Sequence, residues 1–222
     1  MGNALITGLK TAFDTETAKV FVREGYKVFA AGSGQINGVT LIPADLKDAV
    51  KEILKYTGSI DIYIDVSDER SPLDNFELRA GVNDLVMREL YDANVIKPMA
   101  MLEAFLPLLE AGEGKRVCYL TSAQASINET RETDGYGYKM AKAGLHNFLQ
   151  ITRNVLAPRG YTIRVFDPAD GRTNGSALTA RQAAEAAFNY FSRMRGIERG
   201  DPQRDDETNL VFRDAYGRQH SW

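Results

Sequence analysis

Tyr138 and Lys142 stand four residues apart in "YGYKMAKAGL", and on a helix that spacing places both on one face. A phenol and an ammonium are proton-bearing groups, the kind from which proton exchange with a bound molecule is built. With 10 tyrosines and 10 lysines in 222 residues, chance alone supplies about 0.45 such pairs, so the neighbours must decide. Ser122 ends the strand-like run "KRVCYLTS" upstream of them. Asn94 lies in the middle of a long helical stretch, "MRELYDANVIKPMAMLEAFLPLL". Pro98, four residues on, has no N–H, so the main-chain carbonyl of Asn94 loses its helical partner. A buried carbonyl freed in this way needs another donor, and ordered water is the usual one.

The elements that must position these groups show a clear rhythm. Short β-branched or apolar runs, "NALIT", "KVFAA", "VTLI", "IDIYIDV", "KRVCYLT", "YTIRVFD" and "TNLVFRD", alternate with helix-period segments at about 14–24, 45–56, 79–110, 136–157 and 179–195. The alternation predicts an α/β fold, a Rossmann-type doubly wound parallel sheet of about seven strands with helices on both faces. Residues 1–222 read as one domain, with a polar loop from Gly196 to Glu207. In such sheets ligands bind beyond the carboxyl ends of the strands. Function is therefore expected in Thr7 to Asp14, Gly32 to Gly34, Asp45, Asp65 to Asp68, Ser122, and Pro168 to Thr173.

Composition narrows the classes. A net charge of −3, from 27 basic and 30 acidic residues, gives no electrostatic footprint for nucleic acid or an anionic membrane. The single cysteine, Cys118, sits in an apolar run and reads as a buried inert thiol in a reducing compartment. Neither a signal segment nor a membrane-length run is visible, so a cytoplasmic location is expected, and no metal site is. Met99, Met101, Leu102, Phe105 and Leu106 put apolar side chains on more than one helix face. The surplus points to a homodimer or homotetramer built on the helices of Asn94 and Tyr138.

The ordered set of pieces resembles the short-chain dehydrogenase/reductase family over nearly the whole chain. "ALITG" resembles its first strand and turn, and "ADLKD" its adenine-side Asp. "DANV" resembles its helical Asn, "YLTS" its serine strand, and "YGYKMAKAGL" its Tyr and Lys helix. "DPADGRT" resembles its Pro-Gly-x-x-x-Thr segment. The sixteen residues from Ser122 to Tyr138 and the ending "VFRDAYGRQHSW" are similar to the C-factor and sniffer-type carbonyl reductase branch. The resemblance implies a catalytic tetrad of Asn94, Ser122, Tyr138 and Lys142. Tyr138 would protonate a carbonyl oxygen as hydride arrives, and Lys142 would lower the tyrosine pKa and hold the nicotinamide ribose. Ser122 would hydrogen-bond the substrate oxygen, and Asn94 would anchor a water that relays a proton to Lys142. Thr7, Gly8, Lys10, Phe13, Ser33, Asp45, Leu46, Val66, Pro168 and Thr173 join Tyr138 and Lys142 as cofactor-side residues, with Asp45 and Leu46 flanking the adenine and Thr173 on the carboxamide.

The cofactor side departs from the family pattern. Ala12 and Asp14 replace two glycines of the turn "TGLKTAFD", "DVSD" at Asp65 to Asp68 stands for Asn-Asn-Ala-Gly, and Ala169 follows Pro168. Asp14 either caps the first helical turn, the reading favoured here, or faces a pyrophosphate. The second strand ends without a charge, and Lys10 and Ser33 would favour NADP(H) over NAD(H), although a solvated turn lysine is an equal reading of Lys10. The expectation is an NAD(P)-dependent oxidoreductase acting on a small carbonyl or alcohol. The alternative is a non-catalytic relative with weak or no cofactor binding, acting as a sensor or partner-binding dimer.

Overall fold

A computed structural model describes residues 2–32, 34–76, 79, 81–168, 178–192 and 204–222. Strands β1 (Asn3–Thr7), β2 (Lys27–Ala31), β3 (Val39–Ile42), β4 (Ile62–Asp65), β5 (Arg116–Leu120), β6 (Thr162–Asp167), β7 (Phe212–Asp214) and β8 (Gln219–His220) form one sheet in the order β3-β2-β1-β4-β5-β6-β7-β8. All neighbours are parallel except β7 and β8. Seven strands match the expected runs. The eighth is two residues long and carries no periodicity for a sequence reading to detect.

Helices α1 (Ala12–Arg23) and α6 (Ala180–Ser192) cover one face, where Phe13, Phe21 and Ala187 pack on Ile6, Ile64 and Phe166. On the other face α2 (Leu46–Ile53), α4 (Lys97–Ala111) and α5 (Tyr136–Leu156) pack Ile53, Phe105 and Leu149 on Leu5, Tyr63 and Tyr119. With helices on both faces, the central strands read as continuous apolar runs rather than alternating ones. Residues 79–110, expected as one helix, are instead α3 (Asp84–Tyr91), a π turn (Asp92–Ile96) and α4. The missing N–H of Pro98 is the physical reason, since the helix must change its bonding pattern where a donor is lost. Leu102 and Phe105 are spent on the core, which leaves Met99 as the more exposed of the apolar residues named on α4. Among the described residues no helix is long and apolar enough to cross a membrane.

His146 joins α5 to the carboxyl end of β5. Its Nε2 lies 2.5 Å from Thr121 Oγ1, and its ring packs on Phe212 and Trp222 at centroid distances of 5.2 and 4.9 Å. Burial pushes its pKa down to about 3, and the nearby Lys142 charge adds to this. The imidazole is neutral when folded but titrates near 6.5 when unfolded. Its contribution to stability is therefore complete above pH 6.5 and lost as the pH falls toward 3, with a limiting slope of about 1.4 kcal/mol per pH unit. His220 has the opposite sign: burial lowers its pKa, but Glu129 and Asp214 together raise it, so its contribution fades only as the pH climbs above 6.5. Unfolding free energy measured by urea titration at pH 6.5 and 5.5 should fall with acid in the parent chain. The His146→Phe variant should lack that part of the slope, and equal slopes in the two proteins would refute the assignment.

Candidate active site

Helix α5 delivers Tyr138 and Lys142 to the carboxyl end of β5, and a remote carboxylate fixes where it starts. Gly135 precedes the helix at φ +70, in the left-handed region, and its N–H donates to the Asp74 carbonyl at 3.1 Å. The Asp74 carboxylate, 4% exposed, then accepts from the N–H groups of Gly137 and Tyr138, both at 2.8 Å. Two of the helix's orphan donors are satisfied by a residue more than sixty positions away.

Around Tyr138 the polar contacts are dense. Its hydroxyl donates to Asp68 Oδ1 at 2.6 Å and accepts from Arg70 Nη2 at 2.8 Å, while the Arg70 guanidinium lies 4.1 Å from the ring centroid. Lys142, with no exposure to water, donates to the Ser67 carbonyl at 2.6 Å and the Leu120 carbonyl at 3.5 Å, and its Nζ lies 3.3 Å from Asp68 Oδ1. Burial pushes the Tyr138 pKa well above its ordinary value and the Asp68 charge pushes the same way, against Arg70 and the Ser122 hydroxyl. Burial also pulls the Lys142 pKa down, opposed by Asp68 and Asp65. Ser122 is buried beside Tyr138 and its Oγ accepts from the Gln124 N–H at 3.3 Å.

Asn94 is fully buried in the π turn, where Lys97 N–H reaches back to the Asp92 carbonyl. Its side chain clamps the backbone of Glu69 in both directions: Oδ1 accepts from Glu69 N–H at 3.0 Å and Nδ2 donates to Glu69 O at 2.9 Å. The segment after β4 is pinned on its other side by Asp65, whose carboxylate accepts from Thr7 Oγ1 at 2.8 Å and Ser67 N–H at 3.0 Å. Burial raises the Asp65 pKa, with the bonds from Thr7 and Ser67 opposing it. Gly8 (φ +85) admits no side chain, since an added Cβ would stand 2.4 Å from Ser67 Oγ.

A cleft of about 820 Å³ runs along the strand ends. Ala31, Gly32, Asp45 and Leu46 form one end, Thr7, Gly8 and Lys10 the middle, and Asp65, Ser67, Asp68 and Pro98 the other. Asp45 also caps α2, accepting from Lys47 N–H at 3.0 Å. Lys10 is paired with Glu69 on the rim. Phe13 and Val66, expected on the cofactor side, have their side chains in the core instead, because α1 and the end of β4 turn them into the layer beneath the sheet. Pro168 is buried and is not among the residues lining this cleft. Ser33 and Thr173 lie outside the described residues.

No family model matches the chain. An uncharacterized oxidoreductase of Schizosaccharomyces pombe is 25% identical over 182 residues, covering 74% of this chain and 71% of that protein. Dehydrogenase/reductase SDR family member 7B of Xenopus tropicalis is 24% identical over 198 residues, covering 77% of this chain and 61% of that protein. The chain is thus similar in sequence to an oxidoreductase and to a member of the short-chain dehydrogenase/reductase family. Two solved structures superpose along the whole of both chains: a carbonyl reductase from Pseudomonas aeruginosa in complex with NADP, at TM-score 0.79 and 18% identity, and the carbonyl reductase Sniffer of D. melanogaster, at 0.80 and 15%. At these identities they establish the shared fold.

Asp14 has a clear place. It stands three residues into the turn, and its Oδ2 accepts from the N–H groups of Lys10 at 2.8 Å and Thr11 at 2.6 Å, while Thr11 Oγ1 accepts from Asp14 N–H at 3.3 Å. This is a capping box for α1. Asp74 and Arg70 were not expected at the site. Nothing local marks either one, because their partners are on α5. Asp14→Ala and Asp74→Ala each remove a cap and should lower the unfolding free energy by about 1 to 2 kcal/mol. Circular dichroism melts in which both variants match the parent would contradict these roles.

Proposed function

We propose that the chain is an NADP(H)-dependent oxidoreductase that interconverts a carbonyl and an alcohol, using Asn94, Ser122, Tyr138 and Lys142. The observation that carries the reading is the meeting of Tyr138, Lys142 and Ser122 at the end of β5, directly behind Ser67 and Asp68, which line a cleft of about 820 Å³. The adenosine end would rest on Asp45 and Leu46, and the middle would pass the backbone of Thr7, Gly8 and Phe13. The Asp14 carboxylate is turned back onto the N–H groups of Lys10 and Thr11, which lessens the repulsion a phosphate would otherwise meet there. Thr173 and Ser33 complete the cofactor side in this reading, with Val66 and Pro168 contributing main chain only. Lys10, released from Glu69 on the exposed rim, is the cation available to a 2′-phosphate, and the NADP complex of the Pseudomonas aeruginosa enzyme lends weight to the same choice.

When bound, a nicotinamide cofactor supplies or accepts the hydride. Tyr138 gives its proton to the carbonyl oxygen, or takes one from the alcohol, and Ser122 orients that oxygen. Lys142 holds positive charge next to the phenol, which favours the phenolate formed as the proton leaves. The Asn94 carbonyl, deprived of a donor by Pro98, anchors the water through which the proton is replaced. The unit is a single domain in a cytoplasmic setting. It assembles as a homodimer or homotetramer through exposed apolar residues such as Tyr91, Ile96, Met140 and Ile151 on the helices around Asn94 and Tyr138.

A second reading, a non-catalytic relative with weak cofactor binding, is favoured by the contact of Asp68 with Tyr138 and Lys142. Calorimetric titration with NADPH and NADH separates the two readings. Binding of NADPH, together with a loss of turnover of about 10² or more in Tyr138→Phe, is expected. Failure of both cofactors to bind at millimolar concentration would leave the second reading.

A further inference from the structure

One carboxylate at the reaction centre has no part in the roles above. Lys142 offers three N–H donors, and its three neighbouring acceptors are the Ser67 carbonyl, the Leu120 carbonyl and Asp68 Oδ1. Tyr138 offers one donor, and it goes to the same Asp68 Oδ1. A single oxygen atom therefore takes the phenol proton and one ammonium N–H, the two donors that a bound ribose hydroxyl and a substrate oxygen would require. While Asp68 stays, neither donor is available to a ligand.

The surroundings limit how Asp68 can leave. The backbone before it is held by the bond from Ser67 N–H to Asp65 and by the Ser67 carbonyl on Lys142. The backbone after it is held by the double clamp of Asn94 on Glu69. With the main chain pinned on both sides, the motion that remains is rotation of the Asp68 side chain. One partner can stay with it through that rotation: Arg70 Nε already donates to Asp68 Oδ2 at 3.4 Å, on a side chain that is 38% exposed, so Oδ1 can turn toward the same guanidinium as it leaves Tyr138 and Lys142. Arg70 also donates to the Tyr138 hydroxyl, so its departure toward the carboxylate would clear the oxygen from a second side.

We propose that Asp68 is an exchangeable gate on the Tyr138–Lys142 pair, holding the place of a ligand's hydroxyl or carbonyl oxygen and rotating onto Arg70 when that ligand enters. The role of the gate in cofactor entry rests on the oxidoreductase reading. The existence of an exchangeable oxygen position does not. A ligand that must displace the carboxylate binds more weakly by the population of the closed state, and removing the carboxylate returns that loss.

The test compares the parent chain with Asp68→Ala and the near-isosteric Asp68→Asn. NADPH and NADH affinities are measured by calorimetry, and melting temperatures are measured with and without acetate at tens of millimolar against chloride of equal ionic strength. Asp68→Ala should bind NADPH roughly tenfold more tightly than the parent, and acetate should raise its melting temperature and weaken its NADPH binding by refilling the vacated position. The parent should respond to neither acetate effect. If NADPH binds the parent and both variants with one affinity, or binds the variants more weakly, the gate is overturned. If no protein binds either cofactor but acetate stabilises Asp68→Ala alone, the oxidoreductase reading falls and the exchangeable position stands. If neither cofactor nor acetate distinguishes the proteins, both fall. Should Asp68→Ala fail to fold, Asp68→Asn carries the affinity comparison by itself, with the same tightening expected and the same equality overturning it.

Discussion

Lys142 carries an ammonium into a position with no access to water, and most of the site can be read as the response to that charge. Removing an ammonium from water costs several kcal/mol even after the protein relaxes, so acceptors must come to it. Three come from two segments: the Leu120 carbonyl at the end of β5, and the Ser67 carbonyl and Asp68 carboxylate after β4. The adjacency of β4 and β5 in the sheet brings these segments within one bond length of the same nitrogen. Burying the lysine thus ties the reactive helix to the two strand ends it must face.

A charge held this way is useful only if its holders do not drift. Asp65 joins the end of β1 to the turn after β4, and Asn94 fastens Glu69 from the other side of the cleft. Asp74 sets the first turn of α5, and the aromatic ring of Tyr138 is carried on that turn. Each fixing residue is itself buried, so its polar atoms must be matched, and each match uses backbone groups that would otherwise be orphaned. The π turn belongs to the same scheme. It places the Asn94 side chain toward Glu69, so that the amide clamps the segment after β4.

The electrostatics of the cleft divide into settled and unsettled charge. Asp14 and Asp45 are committed to helix starts, and Asp65 is shared among hydroxyl and amide donors. Asp68 is different, because besides Arg70 it contacts both Tyr138 and Lys142. Burial and the Asp68 charge both hold Tyr138 in its protonated form, while Lys142 and Arg70 stand ready to favour the phenolate once the carboxylate is elsewhere. In the folded chain the Tyr138 hydroxyl is therefore committed to Asp68.

What the sequence determined by itself was local. The alternation of apolar runs with helix-period segments specified the parallel sheet because those periods follow from backbone geometry. The spacing of Tyr138 and Lys142 placed them on one helix face, found at Tyr136–Leu156 against an expected 136–157. Pro98 marked the loss of a helical donor to the Asn94 carbonyl, though not the π turn, and Asp14 read as serving the start of the first helix, since both effects act within one turn of chain. The tertiary structure decided everything that depends on which strand ends meet. Asp68 reaches Tyr138 across 70 residues and Asp74 reaches Gly137 across 63, and no local pattern encodes either contact. Phe13 and Val66 went to the core and Lys10 to Glu69 for the same reason. Hydrogen bonds have a range of about 3 Å, so a partner remote in sequence is chosen only when the sheet order has brought its strand alongside.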